Sequence, residues 1–387
     1  MKEKMYVECH ILQNFAPNNL NRDDAGSPKD VTFGGYRRGR ISSQCLKRAI
    51  RMEFQDNGFL SDGRLGTRTK RLVDEVVRRL TAEGKPEDQS REVAAAAVRA
   101  SGLDLTEGER TQYLLFLGKS EIDQLTKLCL KHWDMLARLA SKDMDKKAKT
   151  KPHVAEPPAE LTRELRGFLD GGGRAVDVAL FGRMLADLPG KNVDAACQVA
   201  HAISTNRMEV DFDYYTAVDD LKPDDSAGAD MIGTVELASS CFYRYSNVNV
   251  KELVENLKGD EDAARSALEA YLRAVIRAVP TGKQNSTAAQ NPPSLILFVV
   301  RESGLWSLAN AFANPVVPGK AGDLVTQSVQ ALDNYWGELV AMYGVKGIRK
   351  TSLCALGKPP LRHLKDAVAP NIDVLVDGAV DTAFEAP

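Results

Sequence analysis

The sequence predicts an α+β fold in which a β-sheet domain is split by a helical insertion. Alternating apolar residues indicate a first strand at Met5–Leu12, and apolar residues at helical spacing run through residues 70–140. Strand patterns return at Cys197–Ser204 and Val235–Tyr245. A chain of 387 residues with 43% apolar content can bury the cores of about two or three domains.

The first strand leads into a polar loop and then an amphipathic helix. The loop covers Asn14–Phe33, and Ser42 is a good N-cap residue for a helix over Ser43–Gln55. This order of strand, loop and helix is compatible with the first strand and first helix of an RNA-recognition-like β-sheet domain. The predicted helix has an apolar face and an opposite polar face: Leu46, Ala49, Ile50 and Phe54 on the first, and Gln44, Lys47, Arg48 and Arg51 on the second.

The later patterns alternate between helices and strands. The charged, proline-containing stretch Lys142–Pro158 indicates a linker. The aspartate-rich stretch Asn206–Asp230 lies between two strand patterns and reads as an excursion from the sheet. The other predicted elements are a helix at 159–169 that ends at Gly171–Gly173, a strand at Val176–Leu180, a helix at Glu261–Val279, a strand at Leu295–Val300 and a helix at Leu324–Val340.

The net charge of the chain conceals a basic segment, Lys29–Arg51. Seven bases against one acid, Asp30, give this segment +6, so the rest of the chain carries −8 of the total −2. Such an island on an acidic molecule indicates a localised anion site, and the alternative is a solvated basic face. The seven bases are Lys29, Arg37, Arg38, Arg40, Lys47, Arg48 and Arg51.

The layout of the basic segment favours the anion site. Gly34–Gly35 allows a close backbone approach, and arginines at 37, 38 and 40 precede the predicted cap Ser42. The N-terminus of a helix presents free amides and a positive dipole end. Flanked by arginines, it suits phosphate groups.

Other classes of site are not indicated. The six cysteines form no CxxC pair, and the histidines are isolated, so no metal or cofactor is predicted. His201, in the apolar stretch Ala200–Ile203, is expected to be a core or strand residue. No apolar run approaches the ~20 residues that span a bilayer, and the charged N-terminus lacks a signal core, so we expect no membrane partner and a cytoplasmic protein.

One pair of carboxylates lies beside the basic segment. Asp23 and Asp24 could hold a metal for phosphodiester cleavage, or they could make turn bonds and ion pairs with Arg22. The second interpretation is favoured, and the first remains an alternative.

A long motif resembles a known family. Asn21-Arg22-Asp23-Asp24, followed by the segment Phe33–Ala49 (FGGYRRGRISSQCLKRA), is similar to the CasC family. That family is the repeated backbone subunit of the type I-E CRISPR Cascade complex. Further stretches agree in the family's order: Val176–Met184, Ala200–Ile203, Tyr215–Asp220, Phe242–Tyr245 and Ser307–Phe312.

The resemblance implies an architecture like a right hand. An RNA-recognition-like (ferredoxin-like) palm would comprise residues 1–60, 175–205 and 233–387, the last with C-terminal elements. A helical fingers insertion would cover 61–174, and a β-hairpin thumb 206–232.

The resemblance also implies a binding role without catalysis. The chain would oligomerise along CRISPR RNA with other copies of itself and other Cascade subunits. It would hold the guide backbone without sequence specificity and present bases for pairing with target DNA. The alternatives are a metal-dependent ribonuclease that uses Asp23 or Asp24, and a free-standing RNA-binding protein.

Three groups of residues are candidates for RNA contact. The basic segment with Arg22 supplies phosphate contacts, Ser42 and Gln44 add hydrogen bonds, and Tyr36, where many relatives have a basic residue, can stack instead. A second loop, Thr281–Gln284, offers Lys283 and Gln284, although Gly282 could simply cap the preceding helix. In the excursion, the residues expected to face the nucleic acid are Tyr214, Tyr215 and Thr216, which would displace one nucleotide from its stack. Met184 is expected to pack against that displaced nucleotide. The alternative is that the two tyrosines fill a small hydrophobic cluster.

Overall fold

The computed structural model describes residues 4–146, 157–217, 231–320, 322–357 and 359–385. Its strands are β1 (Tyr6–Asn18), β2 (Asp30–Phe33), β3 (Tyr36–Ile41), β4 (Gly66–Thr69), β5 (Leu115–Gly118), β6 (Cys197–Val199), β7 (Ala202–Ser204), β8 (Asp211–Ala217), β9 (Met231–Asn249), β10 (Leu295–Arg301) and β11 (Ile348–Ala355). Its helices are α1 (Ser43–Asp56), α2 (Leu72–Ala82), α3 (Glu87–Ala100), α4 (Lys119–Lys131), α5 (Trp133–Lys146), α6 (Ala159–Arg166), α7 (Val176–Phe181), α8 (Val250–Asn256), α9 (Glu261–Arg277), α10 (Gln284–Thr287), α11 (Leu324–Tyr343) and α12 (Ile372–Phe384). Short 3₁₀ helices lie at Asp62–Arg64, Gly167–Arg174, Pro189–Lys191, Ala309–Phe312 and Lys365–Ala367.

The predicted α+β class is confirmed, with an antiparallel sheet as its main β element. The sheet runs in the order β11-β10-β1-β9-β7-β3-β2, and β6 and β8 also pair with β9. Strand β1 is central and pairs antiparallel with both β9 and β10. Leu297 of β10 packs in one apolar cluster with Leu332 and Trp336 of α11, which covers that face of the sheet.

Strand β1 is longer than predicted because its pairing with β9 continues beyond Leu12 to Asn18. Both faces of its first half are buried. Val7, Cys9 and Ile11 form the expected apolar face, but Glu8 and His10 on the other face are also fully buried. A buried polar strand face needs partners, since an unpaired polar group in the interior costs about 1–3 kcal/mol.

Glu8 and its partners show how this need is met. Its carboxylate accepts hydrogen bonds from Arg301 Nη1 at 2.9 Å and from the backbone nitrogen of Trp306 at 2.7 Å. Burial raises the pKa of Glu8, and the Arg301 charge opposes that rise. The Tyr243 hydroxyl accepts from the backbone nitrogen of Leu308 at 2.8 Å. The buried polar groups of the sheet therefore anchor the segment that follows β10.

The described chain divides into two compact units. The first comprises 1–59, 197–251 and 265–387, and the second 60–196 and 252–264. This grouping puts 175–196 with the helical elements, whereas the family resemblance implies a palm that includes 175–205. The palm, fingers and thumb ranges and the RNA-recognition-like description stay predictions.

The second unit is a helical core around the two-stranded sheet of β4 and β5. The spacing of apolar residues predicted a helical region at 70–140. Helices α2 to α5 confirm this prediction, and strand β5 is the exception. The core is formed by valine, leucine and alanine side chains that include Val76, Leu80, Ala94, Ala97 and Leu125.

The strand predicted at Val176–Leu180 is wrong, since this stretch is helix α7. All six residues of α7 are buried, and a short continuous apolar run has no periodicity to separate strand from helix. The Asp177 carboxylate also accepts a bond of 2.7 Å from the backbone nitrogen of Gly66, which holds the helix start.

Two predicted regions lie wholly or partly outside the described residues. These are residues 147–156 of the linker Lys142–Pro158 and residues 218–230 of the Asn206–Asp230 excursion. Within the ranges that the structure describes, no helix has the length and apolarity needed to cross a bilayer.

Candidate nucleic-acid interface

Strands β2 and β3 form a hairpin whose tip is Gly34–Gly35. Phe33 pairs with Tyr36 across a two-residue loop, and both glycines have positive φ, +61° and +83°. Positive φ at both loop positions is the type I′ geometry that matches strand twist. A Cβ on Gly34 would lie 1.9 Å from the carbonyl oxygen of Ala313. The predicted close approach is real, and the backbone that it meets belongs to the protein itself.

Arg38 of this hairpin is buried, which corrects its predicted place on the surface. Its side chain has no exposed area, and burial lowers the pKa of the guanidinium. It donates to four carbonyl oxygens, at 3.1 Å (Ser204), 2.8 Å (Thr205), 2.7 Å (Phe312) and 3.1 Å (Ala313). Its donors are therefore directed at the protein's own backbone, and it supports the hairpin from beneath.

The other two hairpin arginines reach the surface with protein partners. Arg37 is exposed and forms an ion pair with Asp30. Arg40 donates from Nε to the Asp30 carbonyl at 3.0 Å, and its Nη1 lies 3.2 Å from His201 Nδ1. His201 is exposed, so its predicted core location is wrong. Desolvation by neighbouring groups and the charges of Arg40 and Lys29 lower the pKa of His201, which favours the neutral ring.

Asn21 joins the polar loop to the start of α1. Its Oδ1 accepts from the backbone nitrogen of Ser42 at 2.8 Å, and its carbonyl accepts from that of Lys29 at 2.8 Å. Ser42 is the N-cap, as predicted, because its hydroxyl accepts from Cys45 N at 3.3 Å. Asn21 was read only as part of the family motif, and its organising role depends on partners that the sequence alone does not reveal.

Helix α1 carries its charges on the side away from the core. Leu46, Ala49, Ile50 and Phe54 are buried as predicted, whereas Gln44 and Arg48 are exposed and Lys47 and Arg51 are half-buried. Burial raises the pKa of the Cys45 thiol, and the nearby charges of Lys29 and Arg48 oppose that rise. A cation of the loop and a cation of the helix therefore converge on the first turn of α1.

The second loop lies directly against the first. A Cβ on Gly282 would be 2.3 Å from the carbonyl oxygen of Leu20, so the two backbones touch next to Asn21. Helix α9 ends at Arg277, which excludes Gly282 as its cap. Lys283 is half-buried in the left-handed region, at φ +54°. Gln284 starts α10, and its Nε2 donates to the carbonyls of Pro280 and Ala289, at 3.0 and 3.2 Å.

The hairpin of β8 and β9 exposes its aromatic residues on two different faces. Neighbouring residues of a strand point to opposite sides, so Tyr214 shares a face with Phe212 and Thr216, and Tyr215 shares the other with Asp213. Tyr214 is 62% exposed and Tyr215 41%, which argues against a buried tyrosine cluster. The three predicted contacts therefore cannot all face one surface. Phe212, at 71% exposure, was missed, although its spacing from Tyr214 is the signal that finds it.

Met184 lies in the second unit and is 81% exposed. The preceding Arg183 is buried and forms an ion pair of 2.7 Å with the buried Glu121. Burial raises the pKa of Glu121, and the Arg183 charge opposes the rise. Arg183 thus fixes the backbone from which Met184 projects.

Asp23 and Asp24 are both exposed, and Asp23 makes the bonds of a turn. Its Oδ1 accepts from the backbone nitrogen of Ser27 at 2.9 Å, and its own backbone nitrogen donates to the Ser27 carbonyl at 2.9 Å. This geometry supports the turn interpretation. In the part of the chain that the structure describes, no three His, Cys, Asp or Glu residues are grouped to hold a metal ion.

Comparisons with known proteins identify the family. The family model described as "CT1975-like protein" matches residues 7–377. A solved chain of a "CRISPR RNA-guided surveillance complex, pre-nicking" is 35% identical with a TM-score of 0.84, and the match covers 98% of this chain and 100% of that one. A chain of another "CRISPR RNA-guided surveillance complex" is 30% identical with a TM-score of 0.72, over 97% and 99%. The comparison with curated protein sequences found no match. The chain therefore belongs to the CT1975-like protein family, the CasC type of CRISPR surveillance-complex subunit.

Proposed function

We propose that this chain is the guide-RNA-binding backbone subunit of a type I-E Cascade complex. The observation that carries the proposal is the convergence of the loop at Asn21–Lys29, the start of α1 and the loop at 281–284. Asn21 ties the first two together, and the contact of Gly282 with Leu20 adds the third. The N-terminus of a helix surrounded by cations is a site for phosphate groups.

The phosphates of single-stranded RNA are the ligands that this surface suits. The positive charge of this surface comes from Arg22, Lys29, Lys47, Arg48 and Arg51. Further hydrogen-bond donors are Gln44 and Lys283, and the surface is extended along the hairpin by Arg37 and Arg40. Contacts to phosphate position a nucleic acid without reading its sequence. The bases of the guide then remain available to pair with target DNA.

The proposed assembly is a filament of copies along CRISPR RNA, completed by other Cascade subunits in the cytoplasm. The two solved relatives support it, because each is a chain of an RNA-guided surveillance complex. In this assembly the β8–β9 hairpin, with Phe212, Tyr214 and Thr216 on one face, is the element proposed to displace a base. We propose a binding role and no catalysis for the chain itself.

Crosslinking tests the proposal directly. Purified protein is irradiated with single-stranded RNA that contains photoreactive uridine, and the adducts are mapped by mass spectrometry. We expect adducts in peptides that cover residues 20–51 and 281–290. Adducts only outside both ranges would overturn the assignment of this surface.

A further inference from the structure

Tyr36 adds an aromatic ring to the positively charged surface that is proposed to bind the guide RNA. It closes the β2–β3 hairpin opposite Phe33, and its side chain is 42% exposed. The hairpin tip cannot shift freely, because Gly34 is in contact with the Ala313 backbone and has room for no Cβ. The ring therefore sits on a fixed part of the backbone.

The ring of Tyr36 is also supported by a fixed cation. The Arg38 guanidinium lies 5.9 Å from the centroid of the Tyr36 ring and 6.0 Å from that of Phe33. Both distances are within the range of a cation–π contact. Four backbone carbonyls hold this guanidinium in place. It therefore gives the rings of Tyr36 and Phe33 a fixed contact.

The two faces of the hairpin differ in what they offer to RNA. Tyr36 and Arg38 alternate to the same face of β3, whereas Arg37 projects from the other face and pairs with Asp30. The exposed group next to the hairpin tip on the Tyr36 face is thus an aromatic ring and not a free cation. A ring that is already ordered loses little side-chain entropy when a ligand covers it.

We propose that Tyr36 stacks on an unpaired base of the single-stranded guide, an inference that rests on the proposed function. Aromatic stacking suits a guide subunit because every base has a π face, so affinity is gained without sequence preference. The buried Arg38 then has a second role as the positioning residue of this platform.

Binding to two RNAs separates stacking from charge. The protein is titrated with a labelled single-stranded oligoribonucleotide and with an oligomer of the same length that lacks all bases. Tyr36→Leu should weaken binding to the first RNA about 5- to 150-fold (about 1–3 kcal/mol). It should leave binding to the abasic oligomer unchanged, which also shows that the variant is folded. Tyr36→Trp keeps an aromatic ring, so it should bind the base-containing RNA about as tightly as the wild type does.

Two control variants make the outcomes distinguishable. Thr32→Ala, across from Arg37 on the opposite face of the hairpin, should not change the ratio of the two affinities. Lys47→Ala should weaken both RNAs equally if the proposed phosphate contacts exist. A Tyr36→Leu effect that is absent, or equal for both RNAs, overturns stacking and leaves the proposed function standing. A Lys47→Ala variant with full affinity for both RNAs counts against the phosphate surface itself.

Discussion

The side-chain oxygen of Asn21 accepts a 2.8 Å hydrogen bond from the backbone nitrogen of Ser42, the residue that caps α1. This bond connects the polar loop to the helix start across 21 positions of sequence. It also brings Arg22 and Lys29, which lie in that loop, next to the first turn of the helix. The geometry of the proposed RNA surface therefore depends on an amide that carries no charge.

Asn21→Ala should destabilise the protein and weaken RNA binding together. The partly buried amide nitrogen of Ser42 loses its acceptor, which costs about 1–3 kcal/mol. We expect faster hydrogen exchange in peptides that contain Ser42, and lower affinity for RNA, because the loop cations are no longer held in place. Asn57→Ala, which removes an exposed amide bonded to Glu53 at the C-terminal end of α1, is the matched control and should leave exchange at Ser42 unchanged. Equal exchange rates in the two variants would contradict the organising role of Asn21.

The cations of α1 should act on RNA through charge alone. Lys47→Ala and Arg51→Ala should each weaken binding to guides of different sequence by the same factor. Each should also make the slope of log K against log salt less negative by about 0.7. Arg265→Ala, which removes an exposed arginine paired with Asp381 on α12, is the control. Wild-type affinity with an unchanged slope would show that the substituted residue lies on a solvated face.

The buried His10 should make the protein less stable in acid. Burial lowers the pKa of His10 from 6.5 to about 3, and the Arg301 charge adds to this effect. Because the folded-state pKa is lowered, the contribution of His10 to stability is complete above pH 6.5 and is lost as pH falls toward 3. In that pH window the unfolded chain binds a proton at His10 and the folded chain does not. The free energy of unfolding therefore falls by up to about 1.4 kcal/mol for each pH unit of acidification.

Urea unfolding of the wild type and of His10→Gln at about pH 7 and about pH 4.5 isolates this contribution. The variant lacks the titrating ring, so it should lose less stability than the wild type between the two pH values. Glu8, whose raised pKa acts in the opposite direction, is present in both proteins and cancels in the comparison. Identical losses in the two proteins would mean that His10 is not a buried neutral ring.

The sequence predicted features that depend on neighbouring residues and missed those decided by distant ones. Ser42 was predicted as the N-cap because cap and helix are adjacent, and the apolar face of α1 follows from its spacing. Arg38 was predicted to contact RNA phosphates as one of the seven bases of the segment Lys29–Arg51. Its burial is decided by carbonyls of residues 204, 205, 312 and 313, which no local pattern reveals. The stretch Val176–Leu180 was assigned wrongly because a short apolar run suits a buried helix as well as a strand.

The two tyrosines of the β8–β9 hairpin should behave differently, although they are adjacent. Tyr215 lies across from Gly233, and a Cβ added to that glycine would come within 2.4 Å of the Tyr215 ring. An aromatic ring that covers a cross-strand glycine stabilises the pairing of the two strands. Tyr214 is 62% exposed and lies across from Thr234, so it covers no cross-strand glycine. Tyr215 should therefore hold the hairpin together, while Tyr214 is available to contact a base.

Separate substitutions test this division of roles. Tyr214→Ala should leave the melting temperature of the free protein nearly unchanged, yet impair assembly on RNA and remove any periodic base reactivity in chemical probing. The lost contact corresponds to about 1–3 kcal/mol per displaced base. Tyr215→Ala should instead speed hydrogen exchange in β8, since the glycine loses its cover. Tyr214→Phe keeps the ring and should preserve the periodic reactivity. If Tyr214→Ala retains that reactivity while the free protein loses stability, the ring is part of the fold and another group displaces the base.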